Sequence, residues 1–590
     1  MVGYLSPIFI PLMEQGNMAF QMPSIPRQAS PNKSFSSSFQ CSSFTRTEHG
    51  PTRWFPCRLG NQARWTRLGI RCCETTTTKM GRETRVHESF TTIESKPTLA
   101  SVSKMQQDNT YFFLCNGEWS ASSQGKLLKE YSPCDAQVCY TYQSCSNENA
   151  DRCFHAAATA QASWAKTPLW KRAEYLKKAA KILVNYKDEI SQCIVNEIAK
   201  NTRSALSEVV RTADLIEYVA EQGIRQSGEL MYPDSFPGHV RNQLCLVHRV
   251  ALGVVLCIPP FNYPINLCAS KVAPALMMGN SVVIKAPSHG VISCLYLASA
   301  FHMAGIPRGV VNVVTGKGSE LGDYLVSHPL VDAISFTGGT STGKKVSTKA
   351  GMIPLQLELG GKDCAIVLED ADLQSSIRSI VSGAFSYNGQ RCTAVKIVYV
   401  MEQVAEDLVN GLKEQVQKLS VGYPQDNADI TPLVSQSSAE YIEKLFQDAI
   451  QKGAKQVVPW KRKDNLVWPS ILDHVNQHMR VAWEEPFGPL LPIVRVESET
   501  QAIEMVNKSD MGLQASIFSS NMERAMSIAD LLQTGTVHLN GQPARGPDHF
   551  PFQGWKDSGI GSQGVLYSLQ AMSKVKSIVV HFTRETYTCN

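Results

Sequence analysis

Short apolar runs alternate with helical segments along the chain from Val250 onward. Each run holds four or five residues, rich in valine and isoleucine, which is typical of a buried strand. The predicted strands cover residues 254–258, 281–284, 310–314 and 333–336. A segment with helical spacing follows each strand, beginning with residues 269–277 and 294–304. This alternation predicts an α/β protein with a parallel, doubly wound sheet that binds ligands at the carboxyl ends of its strands.

Other segments extend this pattern on both sides. Helical spacing recurs upstream at residues 170–185, 187–199 and 206–220, and a second α/β block is predicted from about 359 to 559. Two segments outside these blocks, residues 242–250 and 574–582, alternate between apolar and polar positions and are predicted to be strands. Because exposed strand edges invite pairing, we expect these two strands to pair across subunits.

The first 106 residues differ in composition and hydrophobic pattern from the rest of the chain. Residues 30–43 are rich in serine, arginines recur while acids are scarce, and no hydrophobic period persists. Such a segment cannot bury a core and is predicted to be a disordered leader. Its composition is typical of organellar transit peptides, which would direct the protein to a plastid or a mitochondrion. The alternative is a dispensable leader with Met105 as the true start, which would give a cytoplasmic protein.

Charge and cysteine content argue against several classes of function. The net charge of +5 comes from the leader, since residues 1–73 hold eight basic and only two acidic side chains. The remainder is close to neutral, so no nucleic-acid partner is expected. No run of eighteen apolar residues exists, which argues against a membrane span. The 17 cysteines show no C-x-x-C pair, so we interpret them as reduced thiols and expect no metal site.

Four loops at the ends of predicted strands could bind a dinucleotide: residues 259–264, 285–288, 315–318 and 336–343. A glycine-rich turn from a strand into a helix presents backbone N–H groups to a pyrophosphate. Taken alone, the sequence Gly338-Gly339-x-x-x-Gly343 is a weak signal, because most glycine turns only permit tight geometry.

Four further segments carry a more specific pattern. In chain order they are Leu357-Glu358-Leu359-Gly360-Gly361-Lys362, Gly389-Gln390-Arg391-Cys392-Thr393-Ala394, Glu484-Glu485-Pro486-Phe487-Gly488-Pro489 and Pro551-Phe552-Gln553-Gly554-Trp555-Lys556-Asp557-Ser558-Gly559. In this order and spacing they closely resemble the motifs of the aldehyde dehydrogenase superfamily. The resemblance extends from about Tyr111 to the C-terminus.

The resemblance implies the aldehyde dehydrogenase fold and a division into domains. A doubly wound dinucleotide-binding domain would span residues 107–234 and 251–357, and an α/β catalytic domain residues 358–562. A β oligomerisation arm with a C-terminal tail would span residues 235–250 and 563–590. The resemblance also implies a homotetramer, with a dimer as the alternative.

The resemblance also implies the catalytic chemistry. The thiolate of Cys392 would add to an aldehyde carbonyl. The side-chain amide of Asn262 and the backbone N–H of Cys392 would stabilise the resulting oxyanion. Loss of hydride to a nicotinamide would leave a thioester, and Glu358 would activate the water that hydrolyses it. Outside this context, Asn262 would be interpreted as a turn residue and Glu358 as a surface acid.

NADP is the expected cofactor. In family members selective for NAD, a glutamate often stands three residues after the lysine that corresponds to Lys285, and its carboxylate repels the 2′-phosphate of NADP. This chain has Ser288 there, a neutral donor beside a cation, so NAD is the weaker alternative. The resemblance implies that Glu485 holds the nicotinamide ribose and that Phe487 flanks the ring. The other predicted cofactor contacts are Asp323, Thr337, Gly338 and Gly339.

Cations at positions that line the substrate tunnel in the family favour an acidic aldehyde. Three guanidinium groups converging there would bind a phosphate bidentately, and a small phosphorylated aldehyde is therefore the expected substrate. Arg391 is also expected to favour the thiolate of its neighbour Cys392. The predicted substrate contacts are Arg211, Asn262, Tyr263, Arg391, Cys392, Thr393 and Arg545.

This set resembles one branch of the family, whose members oxidise D-glyceraldehyde 3-phosphate to 3-phosphoglycerate with NADP and water. Two features depart from the branch: the loop after Gly339 is one residue longer, and Gln542 stands by the tunnel where a smaller side chain is usual. Another small acidic aldehyde, such as succinic semialdehyde, is an alternative substrate, because arginines bind carboxylates equally well. A catalytically silent structural member is a further alternative, against which the intact motifs weigh.

Overall fold

The computed structural model describes residues 104–582. The strands in this range are β1 Gln106–Gln107, β2 Thr110–Tyr111, β3 Phe113–Cys115, β4 Glu118–Ser120, β5 Leu127–Tyr131, β6 Val138–Gln143, β7 Glu229–Met231, β8 Gln243–Ala251, β9 Val254–Ile258, β10 Ser281–Lys285, β11 Val311–Val314, β12 Ala333–Thr337, β13 Leu355–Glu358, β14 Cys364–Val367, β15 Ile397–Met401, β16 Lys455–Val458, β17 Arg462–Lys463, β18 Leu466–Val467, β19 Ser470–Asp473, β20 Leu490–Val496, β21 Met511–Gly512, β22 Gln514–Phe518, β23 Thr536–Leu539, β24 Trp555–Lys556, β25 Gly559–Ile560 and β26 Ser573–His581. The helices are α1 Asn147–Trp164, α2 Leu169–Asn185, α3 Lys187–Ile198, α4 Thr202–Gly223, α5 Asn266–Met277, α6 Val291–Met303, α7 Gly318–Val326, α8 Thr340–Lys349, α9 Leu373–Phe385, α10 Glu402–Val416, α11 Gln436–Gln451, α12 Glu499–Lys508, α13 Met522–Leu531 and α14 Val565–Ala571.

The strands predicted from the apolar runs form the middle of an eight-stranded sheet. Its order is β25-β13-β12-β9-β10-β11-β3-β4. The five strands from β13 to β11 in that order run parallel, and the antiparallel strands β25 and β3 flank them. Thr337 and Glu358 are paired neighbours at the carboxyl ends of β12 and β13. The predicted parallel sheet, with helices alternating along the chain, is confirmed.

Alternate residues of β9 point to opposite faces of this sheet, as the pleat requires. Val255 and Cys257 pack in an apolar core with residues of α2 to α6. Val254 and Leu256 pack in a second core with residues of α1, α7 and α8. Helices thus cover both faces, which explains why the strands are continuous apolar runs rather than alternating ones.

A seven-stranded sheet forms the second α/β block, in the order β16-β19-β20-β15-β14-β22-β23. Its strands run parallel except for β16 at one edge. Residues 359–363 lead directly from the carboxyl end of β13 in the first sheet into β14 of the second. Residues 386–396 join α9 to β15 and carry Cys392. The predicted nucleophile therefore lies in a connection of the second sheet, and the predicted base lies at the end of β13 in the first.

The two predicted arm strands form a small third sheet, in the order β26-β8-β7. Strands β8 and β26 pair antiparallel over nine residues of the same chain. Within one chain these two segments therefore pair with each other, and their expected pairing across subunits stays a prediction. Strand β26 lies at the edge of this sheet, and its Val575, Ile578 and Val580 side chains are exposed.

Most of the predicted leader lies outside the described residues. Its last part does not, since Met105 is fully buried in the first core and Gln106 begins β1. Across residues 104–582, no helix has the length and apolar content needed to cross a membrane.

Candidate active site

The carboxyl ends of β9, β12 and β13 bring three predicted site residues to one edge of the first sheet. Asn262 lies four residues after β9, while Thr337 and Glu358 are the last residues of β12 and β13. All three side chains are buried. Ligand sites in open parallel sheets form at this edge, because the loops that follow neighbouring strands diverge there.

Cys392 follows a left-handed turn that begins after α9. Tyr387, Asn388 and Gly389 have φ angles of 49°, 57° and 69°. Left-handed backbone costs roughly 1–2 kcal/mol for each non-glycine residue, so neighbouring contacts must hold this turn. The Asn388 side-chain oxygen accepts from the Thr431 backbone N–H at 2.7 Å, and its amide donates to the Thr431 hydroxyl at 3.1 Å. These two buried hydrogen bonds fix the turn that precedes the nucleophile.

The surroundings of the Cys392 thiol disfavour the thiolate. The side chain is partly exposed, yet its enclosure by protein raises the pKa of Cys392 to about 11. The cation of Lys396 opposes this rise, the negative charge of Glu358 adds to it, and Arg545 opposes it more weakly. The thiol therefore depends on nearby cations to ionise.

Arg391, the cation adjacent to Cys392 in the chain, is held by a backbone carbonyl. Its guanidinium is buried and donates to the Gly383 carbonyl of α9 at 2.5 Å. The Nε atom of Arg391 has no hydrogen-bond partner within residues 104–582. The cations with the largest effect on the pKa of Cys392 are Lys396 and Arg545, and an effect of Arg391 on this thiolate stays a prediction. The role of Arg391 in holding a substrate also stays a prediction.

Both the side chain and the backbone of Asn262 are held by hydrogen bonds. Its side-chain amide donates to the Gln390 backbone carbonyl at 2.9 Å, and its backbone carbonyl accepts from Lys200 Nζ at 2.6 Å. Lys200 is almost fully buried, pairs with Glu208 at 2.5 Å, and lies 3.7 Å from the centre of the Tyr263 ring. One buried cation therefore positions both the predicted oxyanion donor and the predicted substrate tyrosine. Tyr263 is itself partly exposed.

Glu358 forms an ion pair with Arg545, at 2.6 Å between Oε2 and Nη1. Both side chains are nearly enclosed, with exposed fractions of 5% and 13%. Gln563 accepts from the opposite end of the guanidinium, whose carbon lies 4.9 Å from the centre of the Phe552 ring. In the described part of the chain, Oε1 of Glu358 has no hydrogen-bond partner. The carboxylate therefore has one oxygen held by a cation and one left to accept a proton.

Arg211 holds the segment that carries Arg545. Its Nε and Nη2 lie 2.7 and 2.8 Å from the two carboxylate oxygens of Asp548, and Nη2 also donates to the Arg545 carbonyl at 2.8 Å. This bidentate pair gives Arg211 a positioning contact within the predicted tunnel. Direct contact of Arg211 with a substrate stays a prediction, as does that of Thr393, which is buried.

The end of β10 and the loop after it carry two of the residues predicted to contact the cofactor, Lys285 and Ser288. Lys285 ends β10 and donates to the Ala286 carbonyl at 2.6 Å, and its burial lowers the pKa of Lys285 to about 8. Ser288 is exposed, and no carboxylate occurs in residues 285–288. Asp323 is exposed on α7 and pairs with Lys349 of α8 at 2.6 Å, so its contact with a cofactor stays a prediction.

Glu485 reaches the loop that follows β13. Its Oε1 lies 3.2 Å from the Gly361 backbone nitrogen and 3.2 Å from Lys396 Nζ. A side chain at Gly360 would place its Cβ only 2.4 Å from Glu485 Oε2, so the glycine permits this close approach. Phe487 packs edge-on against Phe261 of the loop after β9, with ring centres 5.8 Å apart.

The loop after β12 is organised by a buried lysine. Lys271 of α5 is fully buried and donates to the Thr337 hydroxyl at 2.5 Å, and burial lowers the pKa of Lys271 to about 8. The Gly338 N–H donates to the Glu358 carbonyl at 3.1 Å, and Gly339 is the N-cap of α8. Within residues 104–582, no group of three or more His, Cys, Asp or Glu side chains could hold a metal ion.

Sequence reasoning missed four residues that contact the site: Lys200, Lys271, Lys396 and Gln563. A signal existed for Lys271, because it is the one charged residue in the otherwise uncharged run of α5. The other three have no local signature. Gln563 was even assigned to the C-terminal tail, and only the fold brings it to Arg545.

Comparisons with known proteins match most of this chain. The sequence profile of the aldehyde dehydrogenase family matches residues 119–578. The NADP-dependent glyceraldehyde-3-phosphate dehydrogenase of Nicotiana plumbaginifolia is 53% identical over 484 residues, which cover 82% of this chain and 97% of that protein. The enzyme of the same name from Streptococcus equinus is 50% identical over 464 residues, which cover 79% of this chain and 97% of that protein.

A solved structure extends the comparison to three dimensions. The NADP-dependent glyceraldehyde-3-phosphate dehydrogenase from Bacillus halodurans C-125, complexed with NADP, superposes with a TM-score of 0.79 at 47% identity. The match covers 81% of this chain and 100% of that one. This protein therefore belongs to the aldehyde dehydrogenase family.

Proposed function

We propose that this protein oxidises D-glyceraldehyde 3-phosphate to 3-phosphoglycerate with NADP and water, without inorganic phosphate. The observation that carries the proposal is the Arg545–Glu358 ion pair, which places a cation suited to an acidic aldehyde beside the base. Relatives named for this activity are 50–53% identical over nearly their whole length. Arg545 suits a phosphate because its guanidinium retains further N–H donors when two are engaged.

The first half of the reaction is acylation of Cys392. The partly exposed thiol gives its proton to solvent, and the sulfur forms a bond to the aldehyde carbon. The electron pair of the C=O π bond moves to the oxygen. Two donors meet the resulting negative charge: the Asn262 amide and the Cys392 backbone N–H, which makes no hydrogen bond within residues 104–582. Bound NADP supplies the acceptor for the hydride that leaves the same carbon. A thioester remains on the sulfur.

The second half is hydrolysis of that thioester. Glu358 accepts a proton from water through its unpaired Oε1, and the water oxygen forms a bond to the thioester carbon. The carbon–sulfur bond breaks, the electron pair returns to Cys392, and the carboxylate product leaves. No phosphate ion takes part, which separates this reaction from a phosphorolysis of the same thioester.

NADP is bound, under this proposal, by residues at the carboxyl edge of the first sheet. Lys285 and Ser288 would hold the adenosine ribose and its phosphate, and Glu485 would hold the nicotinamide ribose. Phe487 would flank the ring. The absence of a carboxylate from residues 285–288 supports NADP over NAD, because no negative charge on this loop opposes the 2′-phosphate.

A panel of aldehydes tests the proposal. Initial rates are followed by reduced-nucleotide absorbance with glyceraldehyde 3-phosphate, succinic semialdehyde and propanal, each with NADP or NAD and with or without phosphate. We expect the highest kcat/KM for glyceraldehyde 3-phosphate with NADP, unchanged by phosphate. A higher kcat/KM for succinic semialdehyde, or a requirement for phosphate, would overturn the proposal. Cys392→Ser should abolish activity, whereas Cys245→Ser, at a partly exposed cysteine on β8, should retain it.

Assembly and location follow as further proposals. The exposed edge strand β26 supports association into a homotetramer, since an unprotected apolar edge favours pairing with another subunit. Light scattering coupled to gel filtration checks the mass. A cytoplasmic location is proposed, with a plastid as the alternative if residues 1–106 act as a transit peptide. N-terminal sequencing of the native protein distinguishes the two.

A further inference from the structure

An imidazole–carboxylate pair lies beside the loop proposed to hold the 2′-phosphate of the cofactor. His289 directly follows Ser288, and its Nδ1 lies 3.0 Å from Oε1 of Glu130 on β5. The Glu130 side chain is only 2% exposed, whereas that of His289 is 38% exposed. The pair therefore has a buried acidic end and an open basic end.

The buried carboxylate favours the charged form of the ring. Burial of the ring works against a charge, but the hydrogen bond to Glu130 and its negative charge raise the pKa of His289 above its usual value. Glu197 on α3 acts in the same direction, more weakly. A raised pKa keeps the ring protonated to a higher pH, and the charge is lost as pH rises through that pKa. With Nδ1–H on Glu130, the Nε2–H has no acceptor within residues 104–582.

The N-terminus of helix α6 cannot by itself bind a phosphate near Ser288. The Ile292 and Ser293 N–H groups both donate to the carboxylate of Glu197, at 2.6 and 2.9 Å, and the Ser293 hydroxyl donates to it as well. Helix N-termini bind anions through these first-turn amides, and here a buried side chain already occupies them. A phosphate near Ser288 must therefore rely on side-chain donors.

Few side chains are available for that task. Lys285 is buried and bonded to the carbonyl of Ala286. Ser288 is exposed but neutral. His289 is the remaining basic group of this loop, and it has an open face.

We propose that His289, held by Glu130, binds the 2′-phosphate of NADP as an imidazolium and is a pH-dependent determinant of the preference for NADP over NAD. The inference rests on the proposed use of NADP and names a residue that neither the family motifs nor the sequence reasoning singled out. Loss of the proton removes the charge and the second N–H together. The preference for NADP therefore weakens as pH rises.

The test measures cofactor binding rather than turnover. Dissociation constants for NADPH and NADH are obtained from nucleotide fluorescence at pH 6.5 and pH 9.0, with the full chain. The variants are His289→Gln, Glu130→Gln and, as a control, His302→Gln at the opposite end of α6. Glutamine keeps a polar side chain of similar reach and removes the titration. Both pH values lie above the second pKa of the 2′-phosphate, about 6, so the phosphate is mostly dianionic in both measurements.

Other groups near the ring also titrate in this range, so the comparison between variants carries the conclusion. Burial raises the pKa of Glu197 to about 7 and lowers that of Lys285 to about 8. Burial also raises the pKa of Glu130, which the hydrogen bond with His289 lowers again. Glu197 and Lys285 are kept in His289→Gln, whereas Glu130 loses the partner that lowers its pKa. The difference between this variant and wild type at each pH therefore reports the loss of the His289–Glu130 pair.

At pH 6.5, His289→Gln should weaken NADPH binding about 5- to 10-fold, in the range of one partly exposed charge-assisted hydrogen bond, and leave NADH binding unchanged. At pH 9.0 the variant and wild type should agree within about twofold. Glu130→Gln should shift the loss of NADPH preference to lower pH, and His302→Gln should match wild type. Equal NADPH affinities of wild type and His289→Gln at pH 6.5 would overturn this inference alone. A wild type that binds NADH more tightly than NADPH at pH 6.5 would overturn both it and the proposed use of NADP.

Discussion

Alkylation of Cys392 by iodoacetamide, without cofactor, should be slow near neutral pH and should accelerate as pH rises. Burial and the charge of Glu358 contribute to a thiol pKa of about 11. A free cysteine has a pKa of about 8.5, so the thiolate fraction at pH 8 is roughly 200-fold smaller for Cys392. A more basic thiolate is also a better nucleophile, with a Brønsted slope of about 0.45, which recovers roughly 13-fold. The net expectation is alkylation about 20-fold slower than that of a free thiol.

The assay follows the alkylated Cys392 peptide by mass spectrometry between pH 7 and pH 10.5. The rate should rise close to tenfold per pH unit across most of this range. Glu358→Gln removes a negative charge that raises the pKa of Cys392, and a fall of about half to one pKa unit increases the thiolate fraction at pH 8 by about 3- to 10-fold. Because the less basic thiolate is also a weaker nucleophile, alkylation should speed up by about 2- to 4-fold. Lys396→Met should slow it, because Lys396 is the main cation that lowers this pKa. A rate that reaches its plateau below pH 9, or an unchanged rate in Glu358→Gln, would refute the reasoning.

Three further predictions concern the contacts around the site. Arg545→Gln should lower the free energy of unfolding by about 3–5 kcal/mol, measured in urea, because it leaves the buried carboxylate of Glu358 without its partner; an effect below about 1 kcal/mol would contradict the pair. Lys200→Met should cost a similar amount and should lower kcat with propanal as well as with the phosphorylated aldehyde, since Lys200 holds the backbone of Asn262. A loss seen only with the phosphorylated aldehyde would argue against that role. Gly389→Ala should abolish activity and lower Tm, because φ is +69° and the new Cβ would lie 2.5 Å from a backbone oxygen; a fully active variant would show that the turn can relax.

Much of the fold could be predicted because the apolar positions of the sequence mark the segments that are buried. The strands β9, β10, β11 and β12 occur where the apolar runs are, within one or two residues, and helices α2 and α3 coincide with their predicted spacing. A strand covered on both faces must be apolar throughout, so its sequence carries the signal directly. The arm strands were also located correctly. Their pairing with each other was not predicted, because alternation of side chains shows which faces are exposed but not which edge provides the hydrogen bonds.

The candidate site was likewise predicted in part. Cys392, Glu358 and Asn262 could be named from motifs, and they lie in connections where ligands bind in such sheets. The charged residues that shift the pKa of Cys392 most could not be predicted from the sequence. The adjacent cation in the chain, Arg391, binds a carbonyl of α9, while Lys396 and Arg545 set the thiol's balance of charge.

The sequence by itself determined which residue types are available and in which order the chain presents them. It determined the parallel sheet, the predicted nucleophile with its predicted base, and a loop without a carboxylate at residues 285–288. Only the tertiary structure decided which charges meet: Arg545 with Glu358, Lys200 with Asn262, and His289 with Glu130. The reason is physical. Burial is a property of each segment, whereas the energy of an ion pair depends on distance and enclosure, which arise only when segments far apart in sequence pack together.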